Sequence, residues 1–70
     1  MKFQKIIFLS PRILSTYRQL TGDEATAWLT KQGYTFIRIG KDDTIEARTK
    51  DDKFLTGYRI YEREVPVVDN

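Results

Sequence analysis

Residues 34–65 read YTFIRIGKDDTIEARTKDDKFLTGYRIYEREV, a stretch in which apolar and polar side chains alternate and two Lys-Asp-Asp segments interrupt the alternation. A period of two is typical of β-strands that bury one face. Aspartate favours turns because its side chain forms hydrogen bonds with the nearby backbone. The stretch therefore predicts three antiparallel strands joined by two hairpin loops, at residues 41–43 and 51–52.

The apolar pattern also predicts how these strands align. A three-residue loop at 41–43 gives four cross-strand pairs: Phe36 with Arg48, Ile37 with Ala47, Arg38 with Glu46, and Ile39 with Ile45. A two-residue turn at 51–52 gives two more: Ile45 with Tyr58 and Ala47 with Thr56. A glycine within the third run, Gly57, indicates a bulge. A slip of one residue would move the isoleucines to the polar side, so the pattern favours this register.

This register gives the predicted sheet two different faces. One face is apolar and is expected to pack against helices: Ile37, Ile39, Ile45, Ala47, Phe54, Tyr58 and Ile60. The other, here called the Tyr/Arg face, is the predicted binding surface: Tyr34, Phe36, Arg38, Arg48, Arg59, Tyr61 and Arg63. Tyrosine and arginine are enriched at binding hot spots, and aromatic rings between arginines suit stacking on single-stranded bases. The alternative is a solvated face whose side-chain pairs only stabilise neighbouring strands.

The residues before this stretch carry helix signals. Thr21–Glu24 fits a capping box, and Gly33 fits the left-handed position that follows many helices. These signals predict a helix over residues 22–32. A short helix or a helical turn is predicted between Pro11 and Leu20, because Ser10-Pro11 supplies a good N-cap and first position and apolar residues then recur at helical spacing.

Residues 2–9 are rich in phenylalanine and isoleucine and predict one more strand. The predicted order is β-α-(α)-β-β-β, a small two-layer α+β domain. One or two helices pack on one face of a mainly antiparallel sheet of three to four strands. The place of the first strand in that sheet does not follow from the pattern. Because Pro66 ends the alternation, residues 1–66 are predicted to form a single domain and residues 67–70 a flexible C-terminal tail.

The composition argues against catalysis. The 70-residue chain contains neither cysteine nor histidine, so thiolate and imidazole ligands and the commonest general base are missing. The aspartate pairs 42–43 and 51–52 lack the ligand spacing of a calcium loop. The sequence has no motif for a nucleophile, a phosphate or a dinucleotide. We therefore predict no enzyme activity, no metal site and no cofactor.

The apolar segments of the chain are short. The run Ile6–Leu9 is too short for a secretory signal and is followed by Ser10-Pro11 rather than a small-residue cleavage site. No stretch approaches the roughly 18 apolar residues that a membrane-spanning helix needs. We therefore expect a cytoplasmic protein without a membrane partner.

Twelve basic residues against ten acidic ones give a net charge of only +2, which is weak for a polyanion-binding protein. The predicted function is a small non-enzymatic regulatory, adaptor or inhibitor-like module. It binds a protein partner through the Tyr/Arg face or an open strand edge, and homodimerisation is a further hypothesis because the core is small. The alternative is nucleic-acid binding, by DNA or RNA contact with the Tyr/Arg face or with five basic residues: Arg12, Arg18, Lys31, Lys41 and Lys50.

Overall fold

The structure, a computed structural model, describes residues 2–68 and contains five strands and one helix within that range. The elements follow in the order β1 (Lys2–Ser10), β2 (Arg18–Leu20), α1 (Gly22–Lys31), β3 (Phe36–Ile39), β4 (Ile45–Arg48) and β5 (Phe54–Val67). Every strand pairing is antiparallel. The predicted class, a small α+β domain with a mainly antiparallel sheet, is confirmed.

The long strand β5 pairs with three other strands. The main path of the sheet is β1-β5-β4-β3, and β2 also pairs with β5. Residues 54–58 of β5 pair with β4, residues 59–67 with β1, and residues 60–62 with β2. Because β1 occupies one edge of the second half of β5, β2 lies along the other edge. The first strand, whose place the sequence left open, is therefore an outer strand.

The first hairpin has the predicted loop and register. The Gly40 N–H donates to the Thr44 carbonyl at 2.9 Å, and the Asp43 N–H donates to the Gly40 carbonyl at 3.0 Å. Asp43 has a φ of 64°, as the third residue of a three-residue hairpin loop commonly does. All four predicted pairs between β3 and β4 are confirmed.

The second hairpin has a longer loop than predicted. The Thr49 N–H donates to the Lys53 carbonyl at 3.0 Å, and the Asp52 N–H donates to the Thr49 carbonyl at 3.2 Å. Asp52 has a φ of 62°, so Lys50–Asp52 repeats the three-residue geometry of the first loop. The predicted two-residue turn is wrong because this aspartate, like Asp43, takes the left-handed conformation that aspartate tolerates.

Gly57 is the extra residue of a bulge, as the sequence indicated. Its φ is 83°, and the register between β4 and β5 shifts at this point. Ile45 lies opposite Tyr58 as predicted, whereas the pairs nearer the loop differ by one residue from the prediction. Those pairs are Glu46 with Thr56, Ala47 with Leu55, and Arg48 with Phe54.

The apolar face of the sheet packs against α1, as predicted. The buried core consists of Leu20, Ala25, Leu29, Ile45, Ala47 and Ile60. Leu55 packs against this core, whereas Phe54, which was predicted to face it, is 58% exposed. The exchange follows from the bulge at Gly57, because the alternation before the bulge is offset from the alternation after it.

The helix α1 begins where predicted but without the predicted capping box. The Thr21 side chain makes no capping hydrogen bond, and Glu24 instead binds the guanidinium of Arg18. At the other end, Gly33 has a φ of 98° and the Tyr34 N–H donates to the Leu29 carbonyl at 3.1 Å. The left-handed glycine after the helix is therefore confirmed, and it turns the chain toward β3.

The predicted second helix is wrong, because residues 11–17 form an irregular loop and residues 18–20 form β2. Tertiary contacts determine this conformation. The Leu14 N–H donates to the Tyr61 hydroxyl, and that hydroxyl donates to the Arg12 carbonyl. These backbone groups are thus satisfied by a side chain 47 and 49 positions further along rather than within a helical turn.

The regular structure continues slightly beyond the predicted end of the domain. Pro66 was predicted to end the alternation, but it lies opposite Phe3 in the ladder. The strand β5 continues past it to Val67. Within residues 2–68, this end of β5 pairs with β1 alone, so its other edge is open. A strand accommodates proline at such an edge, because the missing N–H is not needed for the ladder. The last two residues of the predicted tail, 69 and 70, lie outside the described residues.

Candidate binding surface

The Tyr/Arg face lies on the side of the sheet opposite α1, and the structure divides it into two parts. The part on the second half of β5 is covered by the loop of residues 11–17. The part on β3, β4 and the start of β5 remains open. The open part is therefore the candidate site, and its membership differs from the prediction at several positions.

Tyr61 belongs to the covered part. Its side chain is 1% exposed, its hydroxyl lies 2.9 Å from the Leu14 nitrogen and 3.1 Å from the Arg12 carbonyl oxygen, and its ring lies 5.9 Å from that of Phe8. The predicted exposure of Tyr61 is wrong, because the loop of residues 11–17 packs over the side chain and forms hydrogen bonds with its hydroxyl. Tyr61 is thus excluded from direct contact with a partner.

Arg63 also faces the loop. Its guanidinium lies 5.7 Å above the ring of Tyr17, which in turn meets Phe8 edge-on at 5.5 Å between ring centroids. This arrangement is a cation–π contact on the rim of the covered part. Arg63 remains exposed, but it lies apart from the open part of the face.

Two further members of the predicted face are not freely exposed. Tyr34 is half-buried against the core that α1 forms with the sheet, because it precedes β3 and follows the turn after the helix. The side chain of Arg59 is only 15% exposed, and its guanidinium lies 3.8 Å from the carboxylate of Asp42. The predicted exposure of both residues is wrong, since each is held by contacts within the domain.

The open part is built around three side chains that stand side by side on three adjacent strands. Phe36 on β3 lies opposite Arg48 on β4, which lies opposite Phe54 on β5. The two phenylalanines are 51% and 58% exposed, and the Arg48 guanidinium lies 5.2 Å above the ring of Phe36. We call these three residues the Phe–Arg–Phe row. The row combines exposed apolar area with a cation that is already held in place.

The surroundings of the Phe–Arg–Phe row are close to neutral. On the same face, two residues further along β3, Arg38 lies opposite Glu46 of β4. In the adjoining β4–β5 loop, Lys50 and Lys53 flank two aspartates. Together with Arg48, these side chains comprise four basic and three acidic groups, a net charge of +1. Such a surface suits a partner that offers apolar and moderately polar groups more than a polyanion.

The pKa of one carboxylate on the loop at the other end of β4 is lowered. Asp42, at the tip of the β3–β4 loop, accepts hydrogen bonds from the Thr44 hydroxyl at 2.6 Å and the Thr44 N–H at 3.2 Å. These bonds, together with the charge of Arg59, hold the pKa of Asp42 below its ordinary value. The Asp42 carboxylate therefore stabilises the β3–β4 loop through its hydrogen bonds with Thr44.

The five basic residues of the nucleic-acid alternative do not form one surface. Lys41 and Lys50 lie on the two hairpin loops, which are at opposite ends of β4. Arg12 lies in the loop on one side of the sheet, and Lys31 lies in the helix on the other side. Arg18 is engaged by two carboxylates. The structure therefore brings none of the predicted basic contacts into a continuous track.

Arg18 is the centre of an ionic network on the α1 side of the sheet that the sequence did not predict. Its guanidinium donates to both carboxylate oxygens of Glu24, at 3.0 and 2.8 Å, and to Glu62 at 2.8 Å, while Lys5 lies 3.1 Å from the other oxygen of Glu62. The two carboxylates raise the pKa of Arg18. Hydrogen bonds from Lys5 and Arg18 lower the pKa of Glu62, and the Arg18 guanidinium lowers that of Glu24.

Phe54 is the one residue of the open part that the sequence prediction missed. The second Lys-Asp-Asp segment repeats the first, and an identical three-residue loop would have placed Phe54 opposite Arg48 and thus on the open face. The repeated loop sequence was therefore the signal for this residue.

Three other observations bear on function. Within residues 2–68, no three histidine, cysteine, aspartate or glutamate side chains lie together as a metal site requires. No helix in this range is long and apolar enough to cross a membrane. Comparisons of the chain with family models, with curated proteins and with solved structures gave no match.

Proposed function

We propose that this protein is a small non-catalytic module that binds a protein partner through the Phe–Arg–Phe row. The observation that carries the proposal is the row itself, in which two half-exposed phenylalanines flank an arginine on three adjacent strands. We expect the module to act as a regulator, adaptor or inhibitor by occupying a surface of that partner. We expect most of the binding free energy to come from a few side chains at the centre of the interface.

The energetics of the row support this use. Burying a whole phenylalanine side chain contributes about 1.5–3 kcal/mol, so covering the exposed halves of Phe36 and Phe54 contributes about as much in total. The three residues stand on paired strands, and Arg48 is already held over a ring. A partner therefore orders few additional side chains on binding, which lowers the entropic cost of association.

Single-stranded nucleic acid is the second candidate ligand, since unpaired bases stack on exposed aromatic rings of a sheet. The same row supports it, through Phe36 and Phe54. The near-neutral surroundings favour a protein, because binding to phosphates needs several basic groups along one path. The two candidates differ in their response to salt.

The test compares variants of the row with a matched control. We expect Phe36→Ala and Phe54→Ala each to weaken partner binding by at least about 1 kcal/mol, which is about fivefold in Kd. Ile13→Ala is the control, because Ile13 is 74% exposed and lies in the loop outside the row. Titration calorimetry with the isolated partner gives the Kd, and circular dichroism checks that each variant is folded.

Unchanged affinity in both row variants would contradict the proposal. Binding to random single-stranded oligonucleotides is measured alongside, at low and moderate salt. Tight binding that weakens steeply with salt and is lost in the row variants would assign the row to nucleic acid instead.

A further inference from the structure

The outer strand β1 has an open edge. It pairs with β5 over all nine residues, and no other strand of the described chain lies along its second edge. The strand contains no proline, and its ladder with β5 has no bulge. Natural sheets use prolines, bulges and charged side chains to prevent an edge from pairing with another chain, and of these β1 has only two lysines, Lys2 and Lys5. The backbone groups of this edge are therefore available to a further strand.

β1 also exposes two large apolar side chains, one on each face of the sheet. Phe3 is 57% exposed, and it lies on the same face as Ile7 and Leu9, which pack against the α1 core. Ile6 is 39% exposed and lies on the opposite face. An occupant of the open edge would cover both.

A shallow groove of about 240 Å³ lies between β1 and α1. Its walls are mostly apolar: Ile7, Leu20, Ala27 and Trp28, with Glu24 and Lys31 at the rim. Because Ile7 belongs to the outer strand, the groove lies next to the open edge. A side chain carried by an added strand on this face can reach it.

Symmetry restricts how two copies of β1 can pair. Residues directly opposite each other in an antiparallel ladder point to the same face, so a two-fold axis must pass through a single residue position. An axis at Lys5 would place two lysines opposite each other, which is unfavourable. An axis at Ile7 would leave Lys2 and Phe3 without partners in β1. An axis at Ile6, the midpoint of Lys2–Ser10, pairs all nine residues.

The pairing about Ile6 brings apolar residues together at two of its positions and places no lysine opposite another. Its pairs are Lys2 with Ser10, Phe3 with Leu9, Gln4 with Phe8, Lys5 with Ile7, and Ile6 with Ile6 of the second copy. No like charges meet. The exposed Phe3 of each copy lies against Leu9 of the other, beside the groove, and the two exposed Ile6 side chains cover each other.

We infer that this protein forms a homodimer in which two β1 strands pair antiparallel about Ile6. The dimer has one continuous sheet with both helices on the same face, because the two-fold axis is perpendicular to the sheet. A second copy is the occupant that fits, since the same nine residues supply both the open edge and the apolar side chains that it covers. The interface is separate from the Phe–Arg–Phe row, which stays accessible in the dimer.

Sedimentation equilibrium tests the dimer. We expect the wild-type chain to sediment as a dimer and Ile6→Glu as a monomer. Within one chain, the introduced carboxylate lies opposite Arg63, which favours folding. In the dimer, it would lie opposite the same carboxylate of the second copy, and the two charges would repel each other. Ile13→Glu is the control and stays dimeric. A monomeric wild type at millimolar concentration, or an Ile6→Glu dimer, would overturn the inference.

A disulfide tests the register. The chain has no cysteine, so an introduced one is unique. We expect Ile6→Cys to form a disulfide-linked dimer under mild oxidation. Gln4→Cys should not, because the two Gln4 positions lie four residues apart along the ladder, about 13 Å. Equal cross-linking of both variants would refute this register, and neither result depends on the Phe–Arg–Phe row.

Discussion

Tyr61 lies on the open side of the sheet by its position in β5, yet it is 1% exposed. The cause is its hydroxyl, which accepts a hydrogen bond from Leu14 and donates one to Arg12. One side chain thus holds the loop of residues 11–17 over half of the sheet. The other half stays open because the contacts of this loop fall on the second half of β5, away from the Phe–Arg–Phe row.

The Tyr61→Phe variant tests this role. It removes only the hydroxyl and leaves the Leu14 N–H and the Arg12 carbonyl without their partner. We expect the free energy of unfolding to fall by about 1–3 kcal/mol, the usual cost of leaving such groups unpaired. Urea denaturation measures this change. Unchanged stability, with unchanged proteolysis of the loop, would show that the hydroxyl does not hold it.

Gly57 is the second position where one residue determines the exposed surface. Its φ of 83° is unfavourable for residues with a Cβ, so we expect Gly57→Ala to lower the free energy of unfolding by about 1 kcal/mol or more. The neighbouring, exposed Thr56→Ala is the control and should change stability by less than about 0.5 kcal/mol. Urea denaturation of both variants gives the comparison, and equal effects would argue against strain at the bulge.

At the scale of elements, the ionic network joins the start of α1 to the sheet. Glu24 in the first turn of the helix binds Arg18 on β2, which also binds Glu62 on β5. The network therefore links β2 and the adjacent α1 to β5, whose Glu62 lies 44 positions from Arg18 in the sequence. Its two carboxylates have pKa values below the ordinary value of 4.5.

These pKa shifts predict the pH dependence of stability. Because the two pKa values are lowered in the folded protein, the unfolded chain binds protons more readily, and the stabilisation is present above pH 4.5. It is lost as the pH falls below that value, through the pKa of the folded state. We expect Glu62→Gln to be less stable than wild type at pH 7 and to approach it at pH 3. A difference in urea midpoint that is the same at both pH values would contradict this assignment.

The elements also show what the sequence could predict. The first hairpin was predicted correctly, because its pairing depends on loop parity and on neighbouring apolar residues. The second loop was predicted one residue too short, although its Lys-Asp-Asp segment repeats the first. The helix expected in this segment is absent, because the conformation of residues 11–17 depends on hydrogen bonds with the distant Tyr61 and on the contact of Tyr17 with Phe8 of β1, which helical spacing does not reveal.

At the scale of the whole molecule, the sequence predicted which side of the sheet is open. It also assigned to the open surface several residues that contacts within the domain hold. Phe36, Arg38 and Arg48 lie on the open part, and Phe54 joins them. The other predicted members are held by the loop, the core or an ion pair. The binding role of the open part stays a prediction, and the net charge of +2 favours a protein as its ligand.

Site-specific photo-cross-linking in the native cell tests the central claim most directly. A benzophenone analogue of phenylalanine replaces Phe54 in one variant and Ile13 in the control, and both positions are more than half exposed. The proposal predicts a discrete adduct with a single partner protein from position 54 and none from position 13. Adducts from position 13 alone, or the same adducts from both positions, would show that the Phe–Arg–Phe row is not the binding surface.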